Sequence, residues 1–101
     1  MDVQDLGYGE ISGRPRWLVD SRYLVERDKR LTHLVTDQKT GVEYFVPFVG
    51  PSKEHPMIEY SVVQKRGRRR IAYPETVATR MLKPGGPRCL EIQKIIEAIK
   101  D

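Results

Sequence analysis

The sequence predicts an α+β fold: about five antiparallel strands, a three-strand meander plus a hairpin, in a small barrel-like or bent sheet packed by a C-terminal helix. Three observations predict it. Apolar residues recur with period two over 17–26, 31–36 and 42–46, each stretch followed by a turn or loop signal. Two further strand-like stretches flank the run Lys65-Arg66-Gly67-Arg68-Arg69-Arg70. The last dozen or so residues switch to a helical period.

Residues 1–13 hold three glycines and little periodicity, which reads as a flexible N-terminal arm ahead of a single small domain over 14–101. From Trp17 the alternation begins. Trp17, Val19, Ser21, Tyr23 and Val25 point one way, with Leu18, Asp20, Arg22, Leu24 and Glu26 opposite. That is a half-buried strand whose inner face is aromatic and β-branched. Arg27-Asp28-Lys29-Arg30 suits a turn, and Leu31 to Thr36 forms the next strand. Asp37-Gln38-Lys39-Thr40-Gly41 is the clearest turn: an aspartate bonds back to following amides, and a glycine takes the left-handed conformation at no steric cost. Val42 to Val46 returns as the third strand.

Residues 50–56 read as a loop. In the second hairpin, an even loop centred on Arg66-Gly67 opposes Val62 to Ile71 and Tyr60 to Tyr73, two apolar pairs on one face. Pro74-Glu75 predicts a short helical segment through Leu82, because proline and an acid favour a helix start. Lys83-Pro84-Gly85-Gly86-Pro87 breaks it. The final helix runs from about Arg88 to Lys100, with Cys89, Ile92, Ile95, Ile96 and Ile99 as an apolar stripe expected to cover the sheet. Were the barrel closed on its own, that stripe would face a partner instead, so monomer and homodimer both remain open.

Composition narrows the function classes. The 101 residues suit one modest core, and the net charge of +4 is unevenly spread. Residues 14–30 carry six bases against three acids, and residues 61–83 carry seven bases against Glu75 alone. If the fold brings both blocks to one side they form one cationic face; otherwise the charge is diffuse. The acidic start argues against a signal peptide, and no apolar run approaches membrane-spanning length. One cysteine, Cys89, allows neither an internal disulfide nor a cysteine-based zinc cluster. The expectation is a cytoplasmic protein (nuclear in a eukaryote), not secreted, with no membrane partner, cofactor or metal.

The strongest functional signal is the basic run, placed by the pattern at a hairpin tip. Arginine forks match phosphate oxygens. The sequence therefore predicts a non-enzymatic module that binds the backbone of DNA or RNA through Lys65, Arg66, Arg68, Arg69 and Arg70. Arg14, Arg16, Arg27, Lys29 and Arg30 are expected to assist. Trp17, beside Arg14-Pro15-Arg16, offers either a stacking plate or a core residue, and core is the commoner fate of such a tryptophan. The alternative is a protein-interaction module, a small regulator or inhibitor whose tip pairs with carboxylates of an acidic partner. A third reading, a small ribonuclease, draws on His33, His55 and Glu43 for acid–base work, but no spacing motif joins them.

Overall fold

The computed structural model describes residues 1–28, 32–47, 52, 54–66 and 72–99, with backbone alone for 62–66 and 72–79. Seven strands follow in chain order: β1 (Val3–Tyr8), β2 (Pro15–Val19), β3 (Tyr23–Asp28), β4 (Thr32–Asp37), β5 (Glu43–Pro47), β6 (Met57–Arg66) and β7 (Ala72–Leu82). They form one antiparallel sheet in the order β1 to β7, and helix α1 (Pro87–Ala98) comes last. The α+β class with a C-terminal helix is as expected, but the described residues form seven strands rather than about five. Among the described residues no ladder joins β1 to β7, so the sheet is open and not a barrel.

Each departure has a local cause. The alternation from Trp17 to Val25 spans two strands, because Val19-Asp20-Ser21-Arg22 turns the chain. Arg22 N donates to the Val19 carbonyl at 3.0 Å, and Asp20 and Ser21 sit at φ 52° and 53°. Two central residues with positive φ match the right-handed twist of the flanking strands. Residues 3–8, read as part of an arm, pair with β2 from Val3↔Val19 to Tyr8↔Pro15, with a register shift between Asp5 and Gly7. The segment after Pro74 is strand, not helix. β7 is an edge strand, where a proline's missing N–H can face away from the ladder. Once the chain is extended there, Thr76, Val77 and Thr79 favour the strand.

The β6–β7 register also differs from the expected one. Tyr60 faces Ala78 and Val62 faces Thr76, while Lys65↔Tyr73 and Arg66↔Ala72 are the last pairs, so an odd number of residues, 67–71, separates the strands. The extended β7 supplies partners further along the chain than a hairpin ending at Tyr73 could.

One face of the sheet carries the core. Trp17, Val19, Tyr23, Val25, Val35, Tyr44, Val46 and Met57 are buried together with Leu82 and the helix stripe Cys89, Ile92, Ile95, Ile96 and Ile99. The expected stripe is thus entirely intramolecular. Each buried isoleucine contributes on the order of 1.5–3 kcal/mol. The helix starts where Lys83-Pro84-Gly85-Gly86 turns, with Gly85 at φ 80° and Gly86 N donating to the Lys83 carbonyl at 3.0 Å. Proline at the second and glycine at the third position are what such a turn requires. Tyr23 Oη donates to Glu91 Oε1 at 3.0 Å, tying the helix to β3.

Candidate nucleic-acid interface

Because successive strands alternate in direction, the β2–β3, β4–β5 and β6–β7 connections lie at one end of the sheet. The β1–β2, β3–β4 and β5–β6 connections lie at the other. This separates the two basic blocks. Lys65 and Arg66, at the end of β6, belong to the first end. Arg14 and Arg16, where β2 enters, and Arg27, where β3 leaves, belong to the second. Lys29 and Arg30 lie outside the described residues, as do Arg68, Arg69 and Arg70. Arg14, Arg16 and Arg27 are therefore set apart from Lys65 and Arg66, whereas Arg22, in the β2–β3 turn, lies at the same end of the sheet as those two.

The first end is built around a ribbon. β5 pairs with β6 only through Phe45↔Ile58, Tyr44↔Glu59 and Glu43↔Tyr60. Beyond Tyr60, β6 runs on beside β7 alone, through six successive pairs from Ser61↔Val77 to Arg66↔Ala72. At about 3.3 Å per residue this is a two-stranded arm of roughly 20 Å. The molecule is correspondingly long, 48 × 33 × 24 Å, with a radius of gyration of 14.5 Å, above the roughly 13 Å of a compact chain of this size. Lys65 and Arg66 occupy the last two register positions of β6, next to the segment that holds Gly67 and the three further arginines.

Beside the root of the ribbon, Asp37 organises the β4–β5 turn. Its carboxylate is fully buried and accepts from Arg22 Nε at 2.9 Å, Arg22 Nη2 at 2.7 Å and Lys39 N at 3.0 Å. These donors hold its carboxyl down at about 2, the guanidinium hydrogen bond being the largest cause. Gly41 closes the turn at φ 77°, as its position in the sequence predicts. The Arg22–Asp37 pair was not legible in the sequence, because only the β2–β3 turn brings Arg22 beside the end of β4. Lys39 stays exposed at this end.

At the opposite end the arginines are engaged within the fold. The Arg27 guanidinium lies 4.9 Å from the centroid of the Trp17 ring, and Arg27 Nε donates to His33 Nε2 at 3.3 Å. Arg14 faces Glu26 at 3.8 Å and Asp28 at 3.6 Å. Arg16 is half-buried, its Nε enclosed and without a hydrogen-bond partner among the described residues. Trp17 is 9% exposed with Arg27 against its ring, so it is a core residue and not an open stacking plate.

The residue types that would serve acid–base chemistry are dispersed. His33 is buried in β4, His55 is exposed in the β5–β6 connection, and Glu43 begins β5 opposite Thr36, away from His33. Cys89 is buried on the helix stripe, its Sγ 3.8 Å from Gln93 Oε1. Among the described residues no group of three or more His, Cys, Asp or Glu is placed to hold a metal ion, and no helix is long and apolar enough to cross a membrane. Comparison of the chain with protein families, with curated proteins and with solved structures finds no match.

Proposed function

We propose that this protein is a small non-enzymatic nucleic-acid-binding module whose β6–β7 ribbon carries a cationic tip to backbone phosphates. One observation carries the reading. The densest positive run in the sequence begins on the last paired residues of a ribbon that outruns its neighbour β5 by six residue pairs. A charged arm standing off a packed body can enter the field of a polyanion without unpacking the core. The contacts belong to Lys65, Arg66, Arg68, Arg69 and Arg70. Arg14, Arg16 and Arg27 are assigned no direct role, since all three lie at the other end of the sheet, where Arg14 faces carboxylates and Arg27 covers Trp17.

The test is a fluorescence-anisotropy titration of short labelled DNA and RNA at about 50 mM salt, repeated at rising salt. Measurable affinity whose logarithm falls linearly with the logarithm of salt is the expected result. So is loss of most of that affinity in R66S/R68S/R69S/R70S. No binding at low salt, or binding unchanged in the quadruple variant, sinks the proposal.

A second reading, docking on an acidic partner protein, is favoured by one other feature. Ile11 stands fully exposed in the β1–β2 connection, which is held by Gly9 N to the Arg14 carbonyl at 3.0 Å and Gly13 N to the Gly9 carbonyl at 2.9 Å. Tyr8, at the end of β1 that leads into this connection, is exposed as well, and tyrosine is enriched among interface anchors. The two readings separate on purification: nucleic acid that high salt strips from the protein belongs to the first alone.

A further inference from the structure

The sheet is apolar on both faces, and α1 packs on one of them. Apolar residues stand side by side in Trp17-Leu18-Val19, Tyr23-Leu24-Val25, Leu34-Val35, Tyr44-Phe45-Val46 and Met57-Ile58. Strands that meet water on one side alternate apolar with polar, whereas unbroken apolar runs belong to strands covered on both sides. Alternate members of these runs form the core shared with α1. The others, Leu18, Leu24, Leu34, Phe45 and Ile58, lie on the opposite face and are each half-buried. Among the described residues of β2–β5, none on that face is buried.

Register joins these residues into one surface. Leu34, Phe45, Ile58 and Met81 are successive partners across β4, β5, β6 and β7. Leu18 and Leu24 are partners in the next row, which Thr36, Glu43 and half-buried Tyr60 continue across β4, β5 and β6. Direct cross-strand partners lie about 4.5–5.5 Å apart, so the apolar band is continuous. Met81 at its margin keeps 70% of its surface exposed. Contiguous apolar surface of this kind marks an interaction site.

We infer that this face is the two-fold interface of a homodimer, covered by the same face of a second copy. Charge selects that occupant over an anionic one. The chain carries +4, yet this face carries Glu26, Asp28 and Glu43 against Arg14 and Arg16. Its bases are already matched: Arg14 faces Glu26 and Asp28, and Arg16 is the register partner of Glu26. Neither a polyanion nor an acidic protein is drawn to such a surface, whereas a second copy brings its least basic side to meet it.

The area agrees. From β2 to β7, at about 4.8 Å per strand and five residues deep at about 3.4 Å each, the face measures roughly 29 by 17 Å, or about 500 Å² in projection. The relief of the side chains makes the accessible area larger than the projection, approaching the roughly 800 Å² per partner of a stable interface. Sheets pack face to face about 10 Å apart with their strands within about 30° of each other, and a two-fold axis closes such a pair with one self-complementary patch. The dimer thus completes a layered molecule: helix, sheet, sheet, helix.

The experiment is sedimentation velocity on the intact protein from about 1 to about 200 μM, with urea unfolding at both concentrations. The expected species at the upper concentration has twice the 11.7 kDa mass of the chain, and the urea midpoint rises with protein concentration. Leu34→Lys in the middle of the face and Met81→Lys at its exposed margin are each expected to weaken dimerisation at least about tenfold, since each buries an unpaired charge. A monomer at the upper concentration overturns the inference. So does a dimer that Met81→Lys leaves as tight as before, whatever Leu34→Lys does to folding. A monomer whose affinity for single-stranded DNA of about 12 nucleotides falls tenfold in Phe45→Ala/Tyr60→Ala assigns the face to base stacking instead. The nucleic-acid reading of the ribbon stands or falls separately, on its own salt dependence.

Discussion

The two basic blocks differ less in composition than in what surrounds them. Block 14–30 has six bases, and the fold pairs three of them and half-buries a fourth. Arg14 faces Glu26 and Asp28, Arg22 grips Asp37, Arg27 stacks on Trp17, and Arg16 is half-buried. Block 61–83 has seven bases and one acid, and its densest part begins on a ribbon beyond the body of the sheet. A run of arginines in a sequence is therefore ambiguous between two uses. Where acids and rings lie across neighbouring strands, arginine binds the fold together. Where the chain leaves the sheet, the same charge is proposed to serve a ligand.

The sharpest way to break this contrast is to neutralise each block and read both stability and affinity. R66S/R68S/R69S/R70S is expected to lower nucleic-acid affinity by about 100-fold and to reduce the salt slope by about one for every phosphate left without its arginine. On the proposed reading its urea midpoint moves little, within the ~0.5 kcal/mol of a substitution that touches no packing site. A large drop in stability with unchanged affinity would reverse the roles assigned to the two blocks.

Next in size is Asp37→Asn, expected to cost roughly 2–3 kcal/mol of folding stability, because it leaves the Arg22 fork facing a neutral amide inside the turn. The pH dependence has a definite sign. Asp37 titrates near 2 in the folded protein against an ordinary value of 3.8. Its contribution is therefore complete above about pH 4 and declines as the pH falls from there through 2, by about 2 kcal/mol in total. Urea unfolding at pH 5 and at pH 2 should show this component in the native protein and lack it in the variant. Equal pH dependence in both proteins would mean that the Asp37 carboxylate contributes nothing to acid sensitivity.

How much of this was legible in the sequence depends on parity and on edges. Val19 and Tyr23 are register partners four residues apart, so both point to the same face and the alternation continues through the turn as though nothing had happened. Asp20-Ser21 contains no glycine to mark it, although both residues take positive φ. One expected strand is consequently two. Pro74-Glu75 was misleading for another reason: the same dipeptide opens a helix or sits in an edge strand, and only the sheet order says which. By contrast, the turn at Asp37–Gly41 and the isoleucine stripe were readable, because each rests on residues whose local chemistry leaves one solution. The candidate site was half legible. The charge run and its hairpin were visible, whereas the length of the ribbon and the partners of the other arginines depend on pairings between distant strands.

Arg27→Ala tests the other side of the comparison at smaller amplitude. The guanidinium lies against the Trp17 ring and donates to His33, so its removal takes away a cation–π interaction, a hydrogen bond and the cover of the buried indole. The expected cost is about 1–2 kcal/mol by urea unfolding, with a shift in tryptophan fluorescence because Trp17 is the sole indole. Nucleic-acid affinity should stay within about twofold. A tenfold weakening of affinity at unchanged stability would place Arg27 in the binding surface and join the two blocks functionally.

Arg14→Ala is the finest probe. Its two carboxylate partners, at 3.8 and 3.6 Å, are further away than in a charge-assisted hydrogen bond, and the side chain keeps about a third of its surface in water (35%). Such pairs are worth about 0.2–1 kcal/mol and weaken with salt. The expected destabilisation is below about 1 kcal/mol at low salt and close to nothing near 1 M. Removing this charge also leaves Glu26 and Asp28 unopposed by Arg14 where β3 ends, which makes that end of the sheet more acidic. If that end were part of the binding surface, the added negative potential would weaken nucleic-acid binding beyond the removal of one cation. If the ribbon acts alone from the opposite end, affinity at about 100 mM salt should be unaltered, because the separation along the sheet exceeds the screening length of about 10 Å.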